Sequence, residues 1–286
     1  ARVIDKRTEG RVKLRFYPGG VMGNDKSLMR KIRIGQLHGG AITGGGLAAI
    51  NPDLNLYSLP FLFRSFAEVD YVRQQMDPLI ETALREKGFA SYGFSEGGFA
   101  YLMSATQLNN LNDLQQQKVW APEGDPISQA AFKAVGVSPI PLPLTDVLTG
   151  LQTGLINTVG TSPVGAITLQ WHTRIKHLTD IPLLYLYGSL VIHEKALGKL
   201  SAVDRDALEQ EMRKVFDKIN RQSRKDNINA REALKKQGIR FNTPALGDMD
   251  KWRAATDRAV DEMGRDGAYS VELFMRIKKI LKEFRQ

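Results

Sequence analysis

Cysteine is absent from the 286 residues, so no disulfide framework staples the chain. That absence fits an oxidising compartment such as the periplasm, where stray thiols are a liability, and it fits many cytosolic proteins equally well. No apolar run approaches the roughly 20 residues that a membrane helix requires, so the chain is not expected to be membrane-inserted. No signal peptide is read in the first residues. Residue 1 falls inside what reads as a helix, and the N-terminus is expected to have been trimmed. The four histidines, His38, His172, His177 and His193, have no metal spacing; the middle pair, five apart, does not share a helix face. The net charge of +9 is spread along amphipathic helices beside Asp and Glu. Without a basic patch interleaved with aromatics, nucleic acid is not expected as a partner.

What is present is ordinary globular composition, 42% apolar and 25% charged, in a chain long enough for two packed lobes. Arg11 to Phe16 alternates basic with apolar residues and predicts a half-buried strand. Asp25 is placed to cap a helix carrying Leu28 and Ile32 that Gly35 closes. A short strand, Ala41 to Thr43, leads into Gly44-Gly45-Gly46, and a further helix runs from about Ala67 to Arg85. Strand alternating with helix indicates an α/β sheet. Phe89 to Met103 reads as extended, broken at Gly97-Gly98, and long enough to cross between lobes. Lys118 to Pro122 (KVWAP) is another strand; Asp125 with Pro126 then marks a helix start and Gly136 its stop. Pro139, Pro141 and Pro143 form an extended connector before a helix from Asp146 to Thr153. Ser201 with Asp204 resembles a capping box. The helix behind it, to Gln237, is far longer than average. Its centre, Asn220 to Asn227, is wholly polar, which suits a strut with a wet middle lying across two lobes. Ile239 to Asn242 is a strand, and two helices finish the chain.

Three patterns could carry chemistry. Gly93-Phe94-Ser95-Glu96-Gly97 matches the nucleophile elbow of serine hydrolases, but that device needs a helix directly after the serine. The residues that follow Ser95 read as strand. The Gly44 to Gly46 run lacks the P-loop Lys-Ser/Thr pair and the G-x-G-x-x-G spacing; a tight turn and a close backbone approach to a ligand both remain open. Glu96, Glu123 and Asp125 could coordinate a cation, although Asp125 is already explained as a cap. Neither a metal nor a cofactor is expected, and Trp171 and Trp252 sit at apolar helical positions that read as core.

Several stretches taken together resemble the periplasmic substrate-binding proteins of TRAP (tripartite ATP-independent periplasmic) transporters, the DctP-like family. They are GRVKLRFYPGGVMG, the SLPFLF of Ser58 to Phe63, and KVWAPEGDPISQAAFKAVGVSPIPLPLTDVLTGLQTGLINT from Lys118 to Thr158. The long helix after Leu200 fits as well. The resemblance implies two α/β lobes joined by crossing strands, with residues 1–97 and 187–238 in one lobe and 98–186 and 239–286 in the other. It implies ligand capture by hinge closure for TRAP membrane subunits in the periplasm, not catalysis; a sensor-type protein feeding a receptor is the alternative. It also implies that a first strand and half-helix of the family, roughly 25 residues, lie missing before Ala1. An unpaired strand slot there would invite exchange with another chain.

The resemblance further implies a site. The family strand matching KVWAP usually carries an Arg on the substrate carboxylate where Trp120 stands, and a second Arg would fall near Ala100. Breaking such a pair by removing one partner costs about 2–5 kcal/mol. By alignment, the ligand is expected to meet Thr43, Gly44, Trp120, Glu123, Leu144, Ser162 and Tyr185. Such a surface is neutral to acidic and is expected to disfavour small dicarboxylates and to accept an aromatic, neutral or cationic guest. Two readings of Trp120 stay open: it stacks on the guest, or it fills the lobe interface while Arg64 or Arg174 takes a carboxylate.

Overall fold

Two ten-residue strands, Ser95–Ser104 (β3) and Leu184–His193 (β8), run antiparallel and carry the chain between two groups of elements. In the computed structural model, which describes residues 1–286 apart from the side chain of Leu246, β8 pairs in the first group with Gly39–Thr43 (β1) and Phe89–Ala90 (β2). In the second group β3 pairs with Thr158–Thr161 (β6) and His177–Thr179 (β7), and β7 runs parallel to Arg240–Asn242 (β9). Trp120–Pro122 (β4) is parallel to Ile140–Leu142 (β5). A parallel bridge from Val119 to Thr158 sets β4 beside β6. The three strands β5, β4 and β6 therefore end at the same edge.

Helices Arg2–Arg7 (α1), Asp25–Arg33 (α2), Gly44–Leu47 (α3) and Phe66–Glu86 (α4) belong to the first group. Leu111–Gln115 (α5), Pro126–Ala134 (α6), Val147–Thr153 (α7) and Pro163–Thr168 (α8) belong to the second. After Glu194–Leu197 (α9), the 35-residue Ala202–Lys236 (α10) spans both. Their starts follow from local chemistry: the Ser65, Ser162 and Ser201 hydroxyls each accept an otherwise orphaned backbone N–H. Asp125 does the same for Ile127 and Ser128, with Pro126 at the first helical position. The expected cap at Asp25 shifts by one residue. Asn24 takes the Ser27 N–H, which leaves the Asp25 carboxylate to accept from the Thr43 hydroxyl at 2.6 Å.

The half-buried strand expected over Arg11–Phe16 does not form. Val12 is buried, but Phe16 is 58% exposed, and the segment joins no ladder among the described residues. Alternation alone cannot make a strand; the backbone N–H and C=O groups need a neighbour.

The largest apolar cluster joins β1, α4 and β8 through Ile42, Val69, Val72, Met76, Tyr187 and Val191. Leu246–Arg265 (α11) and Val271–Phe284 (α12) then close the chain. Met249 and Trp252 of α11 pack with Phe132 of α6, whereas Phe274, Ile277 and Leu281 of α12 pack into the first cluster. Arg285 adds an ion pair to Glu68 of α4 at 2.8 Å. The final helix, expected with all of 239–286 in the second lobe, thus packs on the first group, and Val260 and Met263 of α11 join the same cluster.

Candidate functional site between the lobes

In open α/β sheets a ligand binds beyond the carboxyl ends of the strands, where chain reversals leave room and side chains converge. Here β4 ends in the turn carrying Glu123 and Asp125, β5 leads to Leu144, and β6 leads to Ser162. From the first lobe β1 ends at Thr43 and turns into α3. These turns face each other closely: a Cβ built on Gly45 would stand 3.8 Å from the Asp125 carboxyl carbon. Ile127 of α6 is buried in the first lobe's cluster, and Phe61 meets Trp252 edge-on at 6.3 Å. The two lobes are therefore in contact across this edge.

The glycine run has three separate explanations. A Cβ on Gly44 would lie 2.7 Å from Tyr187 Cε1, and one on Gly46 would overlap Asp25 and come 2.7 Å from Ile42 Cγ2. Packing demands both. Gly45 meets only ordinary contact with Asp125, so its missing side chain leaves space between the lobes instead. The Thr43 hydroxyl, bonded to Asp25, also accepts the Gly46 N–H at 3.2 Å and fixes this turn.

Trp120 is 5% exposed. Its indole N–H donates to the Leu142 carbonyl at 3.0 Å, tying β4 to β5, and its ring meets Trp171 edge-on at 5.2 Å. A main-chain acceptor therefore already holds the indole N–H, which leaves the ring face as the part of Trp120 that could meet a guest. Glu123 is exposed, and Leu144 is 54% exposed. Ser162 is buried and caps Gly165. Thr43, Gly44, Glu123, Leu144 and Ser162 all stand at or just past the strand ends. Tyr185 does not join them. It is 1% exposed, ringed by Phe63, Phe99 and Tyr187, and its hydroxyl accepts from Arg73 at 3.1 Å. Burial pushes its phenol well above the ordinary range. Arg64 and Arg174 are both exposed.

A second polar region lies behind β3, between α4 and α10. An open cavity of about 430 Å³ there is lined by Asp70, Arg73, Asp77, Glu96 and Arg224, among others. The charges answer one another. Glu96, with 2% of its side chain exposed, receives Arg224 at 2.6 Å and Arg73 at 3.5 Å. Arg73 also holds Asp77, and Arg224 reaches Asp70. Glu96 is therefore engaged by guanidinium groups and is not a cation ligand. No group of three or more potential metal-binding side chains occurs among the described residues. Ser95 donates to the Gly188 carbonyl inside the sheet at 3.2 Å, and strand follows it to Ser104. The elbow geometry is not formed.

Two lobes meeting over strand ends define the class of hinged extracytoplasmic binding proteins. Over residues 1–266 the chain matches the family described as bacterial extracellular solute-binding protein, family 7 (DctP), and it belongs to that family. It is similar to the C4-dicarboxylate-binding periplasmic protein DctP of Rhodobacter capsulatus, with 24% identity over 94% of this chain and 82% of the relative. It is also similar to the 2,3-diketo-L-gulonate-binding periplasmic protein YiaO of Escherichia coli, with 25% identity over 92% of this chain and 79% of the relative. Among solved structures, the sugar acid binding protein DctPAm of Advenella mimigardefordensis, in complex with galactonate, superposes with a TM-score of 0.90. That match has 20% identity and covers 99% of this chain and 91% of the other. The fold is that of the TRAP periplasmic solute-binding proteins. The chain is a periplasmic solute-binding protein and not an enzyme. No described helix is long and apolar enough to cross a membrane.

Proposed function

We propose that the chain captures a small polyhydroxylated acid of the sugar-acid class between the Thr43–Gly45 turn and the Glu123–Ser162 edge, and presents it to the membrane subunits of a TRAP importer. The observation that carries this reading is the facing pair of turns, Gly45 against Asp125, where hydroxyl and carboxylate side chains suited to sugar hydroxyls stand beside a position with no side chain. Relatives and structural neighbours named for 2,3-diketo-L-gulonate, galactonate and L-gulonate support the ligand class. With Trp120 where the family's arginine is expected, the carboxylate is left to hydroxyl and main-chain donors, so a ligand rich in hydroxyls is favoured over a bare dicarboxylate.

The mechanism is differential contact. A guest that touches both lobes only when they meet shifts the population toward the closed form, and the membrane subunits read that form. Isothermal titration with D-galactonate, L-gulonate, galactitol and succinate tests the reading. Expected is binding of both sugar acids, with galactitol and succinate each about tenfold or more weaker, a difference of about 1.4 kcal/mol. Succinate binding most tightly would overturn it, as would failure of both acids beside a response to a quaternary amine.

A further inference from the structure

One face of the polar centre of α10 lies against β3, while Arg221, Gln222 and Lys225 on the other stay exposed. Asn220, Ser223, Arg224, Asn227 and Arg231 recur at helical spacing and form a stripe along β3, one contact after another. Asn220 donates to the Phe94 carbonyl and accepts from the Glu96 N–H; Ser223 donates to the Glu96 carbonyl. Arg231 lies over the Tyr101 ring. These side chains satisfy main-chain groups where β3 is irregular, because its register with β8 shifts between Glu96 and Gly98. A bulge of this kind bends a strand and is where a crossing strand changes direction.

Asn227 differs from the rest of the stripe. It is 7% exposed. Its amide nitrogen donates to the Gly97 carbonyl at the bulge at 3.4 Å and to Ser223 of its own helix at 3.0 Å. Its amide oxygen accepts from the Val164 N–H at 3.4 Å, in the first turn of α8, two residues past Ser162. Gly98 has φ +89°, and a Cβ there would stand 2.7 Å from the Asn227 amide nitrogen, so the strand is shaped to admit this side chain. Asn220 and Ser223 bond only to residues 94–96, at the start of β3. Asn227 joins the bulge of the crossing strand to α8 of the second lobe, whereas Arg231, farther along the stripe, reaches that lobe through Asp180 at 2.7 Å.

We propose that Asn227 is a positioning residue that sets the angle between the lobes. The Asn227 amide sits on α10, which Asn220 and Ser223 hold to residues 94–96. Rotation about the bulge swings α8 relative to that helix, so the amide reaches the Gly97 carbonyl and the Val164 N–H together over only a narrow range of lobe angles. The proposal rests on the two-lobe fold and stands whatever ligand the cleft takes.

The test uses the ligand-free protein. The chain has no cysteine, so Gln36→Cys in the first lobe and Gln152→Cys in the second, both exposed, accept a spin-label pair without background. Double electron–electron resonance then reads the interlobe distance. Asn227→Leu is expected to displace or split the distance distribution of the parent pair. Asn220→Ala, which removes bonds to β3 alone, is expected to lower the melting temperature and leave the distribution in place. If Asn227→Leu fails to fold, Asn227→Ser, too short for both partners, is read the same way. An unchanged distribution in the Asn227 variant, or an equal change in Asn220→Ala, overturns the proposal.

Discussion

The crossing strand β3 has a charged region behind it and a sparsely charged edge in front, and the two differ in how their polar groups are answered. Behind it, Arg73, Arg224, Glu96, Asp77 and Asp70 hold one another in a closed set of ion pairs. In front, Glu123 is exposed, Gly45 carries no side chain, and Asp125 approaches it across the lobe boundary. A dense cluster of charge around a cavity looks like a ligand site, yet its most buried groups, Glu96 and Arg73, are already paired. At the front edge the Glu123 carboxylate is exposed, and that edge is the one proposed as the site.

The largest effect that sharpens this contrast comes from the rear. Glu96→Ala leaves two guanidinium groups without their buried partner and is expected to cost about 3–5 kcal/mol in urea unfolding, with affinity for D-galactonate unchanged in the fraction that folds. Gly44→Ala comes next. Its Cβ would press on the Tyr187 ring, and overpacking of this kind costs about 1–3 kcal/mol. Gly45→Leu reverses the pattern. Stability should stay within about 0.5 kcal/mol of the parent, while the wedge against Asp125 weakens D-galactonate binding about tenfold or more by calorimetry. Trp120→Phe removes the bond to the Leu142 carbonyl and is expected to lower stability by about 1 kcal/mol, with little change in affinity.

The smallest effect concerns Glu68. Burial works to raise its pKa, but the Arg285 guanidinium and the Arg64 N–H outweigh that and hold the carboxyl below its ordinary value of 4.5. A depressed folded-state pKa gives a contribution that is present above the unfolded value and lost as pH falls through the folded one. The melting-temperature advantage of the parent over Glu68→Gln should therefore shrink from about pH 5 to about pH 3.

Much of the frame is legible in the residues because it is set locally. Asp125-Pro126 opens α6, Ser201 opens α10, and Gly136 and Gly154, at φ +77° and +73°, close α6 and α7. What escapes the sequence depends on distant partners. Arg11–Phe16 alternates like a strand but has no neighbour to pair with. Asn220 to Asn227 has the composition of a solvated face, and only the path of β3 beneath it turns those amides into backbone partners. Tyr185 lies on a strand that is apolar on both faces, so its chemistry does not reveal which way it points; the packing that buries alternate residues of β8 settles that. Trp120 is legible as an unusual residue, but the carbonyl that takes its N–H comes from β5, 22 residues away.

The most direct measurement is the crystal structure of the chain with whichever sugar acid it binds best. Expected is the acid lying between Thr43–Gly45 and the Glu123–Ser162 edge, its carboxylate met by hydroxyl and main-chain donors. A guanidinium gripping that carboxylate, or the acid seated instead in the cavity between α4 and α10, would contradict the assignment of the front edge as the site.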